Sequence, residues 1–284
     1  MIIVAKPYAL CAVVAAVGAM LLGCTASAGA PEPSPTPFSS PSVDTASPTP
    51  ASPSAVADAP PLSREALERV DEQRIFFAHR SVGEDIVKMG LPQVFSRYGV
   101  APLRVVDGLP DGAGSLGDHW LNQTDDPATK LDDFETWIRD EGVPAHADIA
   151  VMKLGYVDVT AETDVPALFD AYRSMMQDLE SAYPELVFLH VTVSVTDWVP
   201  ENNAAIERYN QLMRAEYGTG ERLFDLAATI STCSDGEANL DVTEAGETYR
   251  RICPEYSRDG GHLNERGADV AATEFLRRLA AISD

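Results

Sequence analysis

Hydrophobic and polar positions along this chain change period several times, and each change marks an element. Leu62–Glu72 opens as a short helix, started by Ser63, with Glu65 and Glu68 in its first turns. Ile75-Phe76-Phe77-Ala78, inside Arg74–His79, is a continuous apolar run, as expected of a strand buried on both faces. Val82–Tyr98 then carries Ile86, Met89, Val94 and Phe95 at helical spacing, with Pro92 expected to kink or divide it. Leu103–Val106 is a second strand. After it the pattern dissolves into Asp107-Gly108-Leu109-Pro110-Asp111-Gly112-Ala113-Gly114 and stays irregular through Asp118-His119-Trp120-Leu121-Asn122 to Pro127. A loop this long inside a compact domain is usually functional.

Helix and strand periods alternate from there on. Leu131–Asp140 is a helix and Ile149–Leu154 a buried strand leading into Gly155-Tyr156-Val157-Asp158. Val165–Ala182 is an amphipathic helix through Leu168, Tyr172, Met175, Met176 and Leu179. Leu186–Val193 is a strand, Asn203–Tyr217 a helix and Leu223–Leu226 a short strand. A Cys233–Cys253 excursion precedes a terminal helix over Ala268–Ile282. This alternation predicts an α/β fold, a three-layer α/β/α sandwich around a parallel sheet of about five strands. Active sites in such sheets gather beyond the carboxyl ends of the strands.

One polar stretch near the end has the spacing of chemistry. In Asp259-Gly260-Gly261-His262 an acid and a histidine stand three residues apart on a Gly-Gly loop, and Asn264 is a suitable N-cap for the helix that follows. Tight backbone lets the Asp259 carboxylate reach one imidazole nitrogen, leaving the other outward with a set tautomer, as a general base needs. The nucleophile best placed to match it is Ser81, in the turn after the first strand. A plain polar loop carrying a surface histidine is the alternative.

Composition divides the chain. Of its 284 residues, Met1–Gly23 contains an apolar run from Ala9 to Leu22 and ends in Leu21-Leu22-Gly23-Cys24, which reads as a secretory signal. The ending resembles the lipobox of bacterial lipoproteins, which implies lipidation of Cys24; an ordinary cut after Ala26, Ala28 or Ala30 is the rival reading. Residues 24–61 are then the lipidated cysteine and an Ala/Ser/Thr/Pro-rich stretch with almost nothing large to bury, expected to be a disordered tether. Residues 62–284 form the folded domain. A net charge of −23 argues against nucleic acid and anionic lipid surfaces as partners. Membrane association is expected only through the lipid anchor, on the outer face of the cell, and the domain is expected to be a monomer. Export makes a Cys233–Cys253 disulfide the default, with two separate buried thiols as the alternative.

Across nearly all of Arg74–Asp284 the chain resembles the SGNH (GDSL-type) hydrolase superfamily. His79-Arg80-Ser81-Val82-Gly83 stands in place of the family's Gly-Asp-Ser turn. Gly108, Gly112 and Gly114 compete for the oxyanion glycine after the second strand, and Gly155-Tyr156-Val157-Asp158 matches Gly-x-Asn-Asp. Asp259 and His262 match the Asp-x-x-His block before the last helix. The resemblance implies a serine ester hydrolase working through an acyl-enzyme, with Ser81, Asp259 and His262 as triad. The family's oxyanion asparagine falls on Val157, so the donor must come from elsewhere, with Asn122 preferred to Lys153.

Other residues weigh less. His79 reads as a core histidine bonding a carbonyl, although strand alternation could aim it into the site. His119 reads as a surface histidine, and His146 and His190 as structural. Lys153, inside an apolar strand, should meet a carboxylate such as Asp158 or Asp107, or else snorkel to the sheet edge. Trp120, Tyr156 and Trp198 sit in predicted loops where they could stack on sugar rings. No HxxxH or HxH pair occurs, so neither metal nor cofactor is expected. Two functions remain: a surface-anchored esterase acting on short acyl groups of carbohydrates or small esters, and a catalytically silent, lipid-tethered binding protein that keeps the fold.

Overall fold

A computed structural model describes residues 61–122 and 125–283, all within the second of the chain's two units, Ala51–Asp284. Cys24, the signal-like segment and nearly all of the Ala/Ser/Thr/Pro stretch lie outside the described residues.

The element order is α1 (Arg64–Asp71), β1 (Arg74–His79), α2 (Val82–Asp85), α3 (Leu91–Tyr98), β2 (Arg104–Asp107), β3 (Ser115–Trp120), α4 (Pro127–Arg139), α5 (Val143–His146), β4 (Ile149–Met152), α6 (Val165–Ala182), β5 (Val187–Val191), α7 (Pro200–Tyr217), β6 (Leu223–Phe224), α8 (Leu226–Ser231), β7 (Leu240–Val242), β8 (Thr248–Arg250) and α9 (Glu265–Ala281). A π-helical turn, Ile86–Gly90, joins α2 to α3. It falls just before Pro92, whose ring would otherwise press on the carbonyl one turn back, so the proline divides the helix as expected.

Six parallel strands form the main sheet in the order β2-β3-β1-β4-β5-β6, and β7 and β8 make a separate antiparallel hairpin inside the disulfide excursion. The sheet has six strands where the pattern predicts about five, the addition being β3, whose sequence reads as loop. Ser-Leu-Gly-Asp-His-Trp has one aliphatic side chain, and its polar groups are satisfied only in three dimensions. Asp118 meets His79 at 2.6 Å and His119 meets Asp133 at 3.3 Å.

Alternate residues of β1 feed two cores. Phe76 stacks with Phe134 and Trp137 of α4 on one face, while Phe77 packs against Phe275 of α9 on the other. The four phenylalanine rings are fully buried, Trp137 partly, and each of the four contributes about 1.5–3 kcal/mol relative to exposure. Helices therefore cover both faces of β1, which is why its apolar run is continuous rather than alternating. On the α9 face the π turn sits tightly on the terminal helix, where a Cβ at Gly90 would come within 2.3 Å of the Ala268 carbonyl. Cys233 and Cys253 are disulfide-bonded with Cα atoms 5.6 Å apart, in agreement with the expectation from export.

Candidate active site

Ser81 follows β1 directly, at the carboxyl edge of the sheet. Its φ of 53° and ψ of −106° lie outside the regions an L-residue prefers, and it is the one described non-glycine residue with positive φ. Such strain survives only where the surroundings impose it. Here the Arg80 carbonyl takes the Gly83 N–H and the Ser81 carbonyl takes the Glu84 N–H, winding the chain into α2 at once. Gly83 is required below: a Cβ there would lie 2.4 Å from the His79 ring.

The Asp259 loop forms as its spacing predicts. Asp259 Oδ1 accepts the backbone N–H of Gly261 (3.0 Å) and His262 (2.8 Å), and Oδ2 lies 2.7 Å from His262 Nδ1. Gly260 supplies the left-handed turn, φ 93°, that folds the acid back on the histidine. Desolvation would raise the Asp259 carboxyl, but the two N–H bonds and the imidazole outweigh it and bring it down to about 2. Asn264 caps α9 by accepting the Gly267 N–H at 3.0 Å and donates to the Glu255 and Ser257 carbonyls. With Nδ1 donating to Asp259, His262 Nε2 is an acceptor, and it takes the Tyr156 hydroxyl at 3.2 Å.

Two residues that the sequence pattern did not announce hold this loop in place, one of them against the serine helix. Asp85, buried in α2, accepts the Leu263 N–H at 3.0 Å through Oδ2 and the Arg258 guanidinium at 2.8 Å through Oδ1. The signal available was an acid one helical turn beyond Ser81. Trp198 donates from Nε1 to the Asp259 carbonyl at 3.0 Å and lies across Gly260 and Gly261, with its ring edge-to-face on Tyr156 at 5.2 Å. Ser81 Oγ is buried without a hydrogen-bond partner among the described residues, close enough to the Tyr156 phenol to lower its pKa although not in bonding geometry. Burial, the larger effect, leaves that phenol above its ordinary value, so it is a neutral donor.

The other expected site residues scatter. Because β3, not β2, lies beside β1, the segment next to the serine turn is Leu121-Asn122, and Leu121 N–H donates to the His79 carbonyl at 3.1 Å. Gly108 sits at the end of edge strand β2, against Trp137. Gly112 lines a cavity of about 440 Å³ with Arg74 and His146, at the opposite edge of the sheet, and Gly114 donates to the Gln73 carbonyl at that same edge. Gly112 and Gly114 are thus placed away from Ser81, because the loop runs back along the sheet to start β3, and Gly108 lies two strands from β1. Asn122 stays at the active edge, with an exposed side chain and its N–H bound to Asp133 at 2.9 Å.

Asp158 is structural. Oδ2 accepts the Gly155 N–H at 2.6 Å and Oδ1 is paired with Lys130, all of it buried. Lys130 thereby takes the partner expected for Lys153. The Lys153 ammonium, also fully buried, donates to the Leu154 carbonyl at 3.1 Å, and desolvation lowers its pKa to about 8 despite the nearby Asp158. His79 is a core histidine as expected, but its partner is the Asp118 carboxylate rather than a carbonyl. Burial lowers its pKa against the pull of Asp118. His119 is no surface group: it packs on Trp137 at 4.3 Å, on the far face of β3 from Asp118. Arg80 turns onto Trp120 at 4.9 Å.

No protein-family model matches the chain, and no curated protein does. Solved structures do. An acylhydrolase from Bacteroides fragilis is similar over 81% of this chain and 94% of its own, at 16% identity and a TM-score of 0.51. A GDSL-like lipase from Bacteroides thetaiotaomicron (14% identity, 76% and 95% covered, 0.46) and a carbohydrate esterase family 3 protein from Talaromyces cellulolyticus (13%, 74% and 96%, 0.38) are more distant in shape. The fold is the α/β fold of that Bacteroides fragilis structure, a parallel sheet covered by helices.

Proposed function

We propose that this chain is a serine ester hydrolase of the SGNH type, with Ser81 as nucleophile, His262 as general base and Asp259 holding the imidazole. The observation that carries the reading is the Asp259–His262 pair, fixed through Nδ1 so that Nε2 is an acceptor, docked by Asp85 onto the helix that begins after a strained Ser81. Ser81 Oγ transfers its proton to Nε2 and attacks the ester carbonyl; the acyl-enzyme is then hydrolysed by water activated through the same histidine. The fold shared with an acylhydrolase supports this chemistry. Short acyl groups on carbohydrate or small alcohols suit a site whose histidine and acid are open to solvent, with the exposed Trp198 ring at its rim.

Fluorophosphonate labelling and p-nitrophenyl acetate hydrolysis test the reading. Ser81→Ala loses the label and most turnover, keeping about 10³–10⁴-fold catalysis over water. Undiminished hydrolysis in that variant removes Ser81 as nucleophile. Val157 at the family's asparagine position favours the second reading, a silent envelope-binding protein, and a folded wild type that neither labels nor hydrolyses any ester of a broad panel would establish it. We further propose that the mature chain begins at a lipidated Cys24 outside the cell. Cys24→Ala then releases active protein into the medium; wild type cut after an alanine and found in the medium contradicts the anchor.

A further inference from the structure

Ester attack puts a negative charge on the carbonyl oxygen, and the residue at the family's donor position is Val157, apolar and 47% exposed. Of the donors considered from sequence, Lys153 is sealed in the core and committed to the Leu154 carbonyl, and Asn122 is exposed, with its backbone held by Asp133. The neighbouring Tyr156 is differently placed. Its hydroxyl lies 3.2 Å from His262 Nε2 and beside the Ser81 hydroxyl, and its ring stands edge-on to Trp198 and to the imidazole. Asp158 and Lys130 pin the turn that carries it. On the hydrolase reading above, we infer that the Tyr156 hydroxyl is a catalytic residue: the oxyanion donor that Val157 cannot be.

The proton inventory explains why this contact forms only in the transition state. In the resting enzyme the single Nε2 lone pair accepts the Tyr156 O–H. As Ser81 Oγ bonds to the ester carbon, the phenol gives up that lone pair, the Ser81 proton moves to Nε2 and the carbonyl π pair moves onto oxygen. Nε2 is now an N–H and accepts nothing, so the phenol loses its acceptor at the moment an anionic oxygen appears next to Ser81. The Tyr156 O–H turns to that oxygen. When the alcohol leaves, it takes the Nε2 proton, the carbonyl re-forms, and the phenol returns to Nε2. Binding gained only when charge develops raises kcat rather than lowering KM.

The test is Tyr156→Phe, which keeps the ring and its packing on Trp198. Turnover of p-nitrophenyl acetate should fall about 10²–10³-fold with KM within about twofold. An alkylboronic acid, which forms a tetrahedral anion on the serine, should bind weaker by a comparable factor. Unchanged or increased turnover overturns the inference, since the phenol then only occupies or blocks Nε2. So does lost turnover with undiminished boronate affinity and a shifted pH profile, which makes Tyr156 a positioning residue for His262. A wild type inert to ester and fluorophosphonate alike defeats the hydrolase reading itself, and the inference with it.

Discussion

Among the Asp–His pairs of the described residues, His79–Asp118 and His262–Asp259 are opposites. His79 and Asp118 come from neighbouring strands β1 and β3. The imidazole is wholly buried, bonded through Nε2, and its Nδ1 has no partner. His262 and Asp259 come from one loop, are bonded through Nδ1, and keep side-chain exposures of 29% and 44%. Depth and choice of nitrogen separate the roles. The His79 imidazole is sealed beneath Gly83, whereas that of His262, on a partly exposed loop, has a route to solvent. An acid beside a histidine is therefore a catalytic signal only when the second nitrogen has somewhere to send a proton.

The sharpest break in this comparison is kinetic. His262→Ala should cost turnover on the order of 10⁶-fold, as loss of a triad histidine does, while His79→Gln keeps turnover within about tenfold and loses roughly 1–3 kcal/mol of stability. Ester kinetics and denaturant melts on both variants decide it; the reverse pattern in folded protein would exchange the two roles.

Lys153 sharpens the contrast from the buried side, since its charge lies near His79 and helps depress that imidazole. A lysine with a folded pKa of about 8 against an ordinary 10.5 destabilises the fold wherever it is charged, by roughly 3 kcal/mol. The unfolded chain binds the extra proton between those values, so stability rises with pH from about 8 to 10.5. Lys153→Met should be more stable than wild type by a comparable amount at pH 7, and should lack that alkaline rise. A destabilised methionine variant would mean the ammonium has a stronger partner than the Leu154 carbonyl.

The smallest expected effect is in acid, where the two pairs respond in different windows. His79, depressed by burial below 6.5, contributes stability above that pH which is lost as pH falls and the unfolded chain takes up its proton; His190 acts in the same sense. Asp259, lowered from 3.8 to about 2, contributes only above about 4, and that is lost as pH falls toward 2. Acid melts should therefore lose the upper phase partly in His79→Gln and the lower one in Asp259→Asn. Identical acid profiles in all three proteins would mean that neither pair is linked to folding.

Legibility followed the range of the contacts. β1, α6 and the Asp259–His262 loop read directly from the chain because their causes are local: an unbroken apolar run, a helical stripe, and a three-residue spacing across two glycines. β3 did not, because Asp118 and His119 look like loop residues until His79 and Asp133 arrive from elsewhere to satisfy them. That one omission displaced the oxyanion expectation onto Gly108, Gly112 and Gly114, since the loop could not be seen to turn back along the sheet.

By itself, then, the sequence determined the alternation of elements, the edge where the candidate site residues gather, the serine turn, the acid–histidine loop and the disulfide pairing, all matters of period, spacing and compartment. Only the tertiary structure decided which of two lysines takes Asp158, which of two histidines faces solvent, that Asp85 ties the loop to the serine helix, and that the Tyr156 hydroxyl reaches His262. Those outcomes depend on burial and on partners dozens of residues away. Desolvation and direct contact fall off over a few ångströms of space, and a linear pattern carries no measure of that distance.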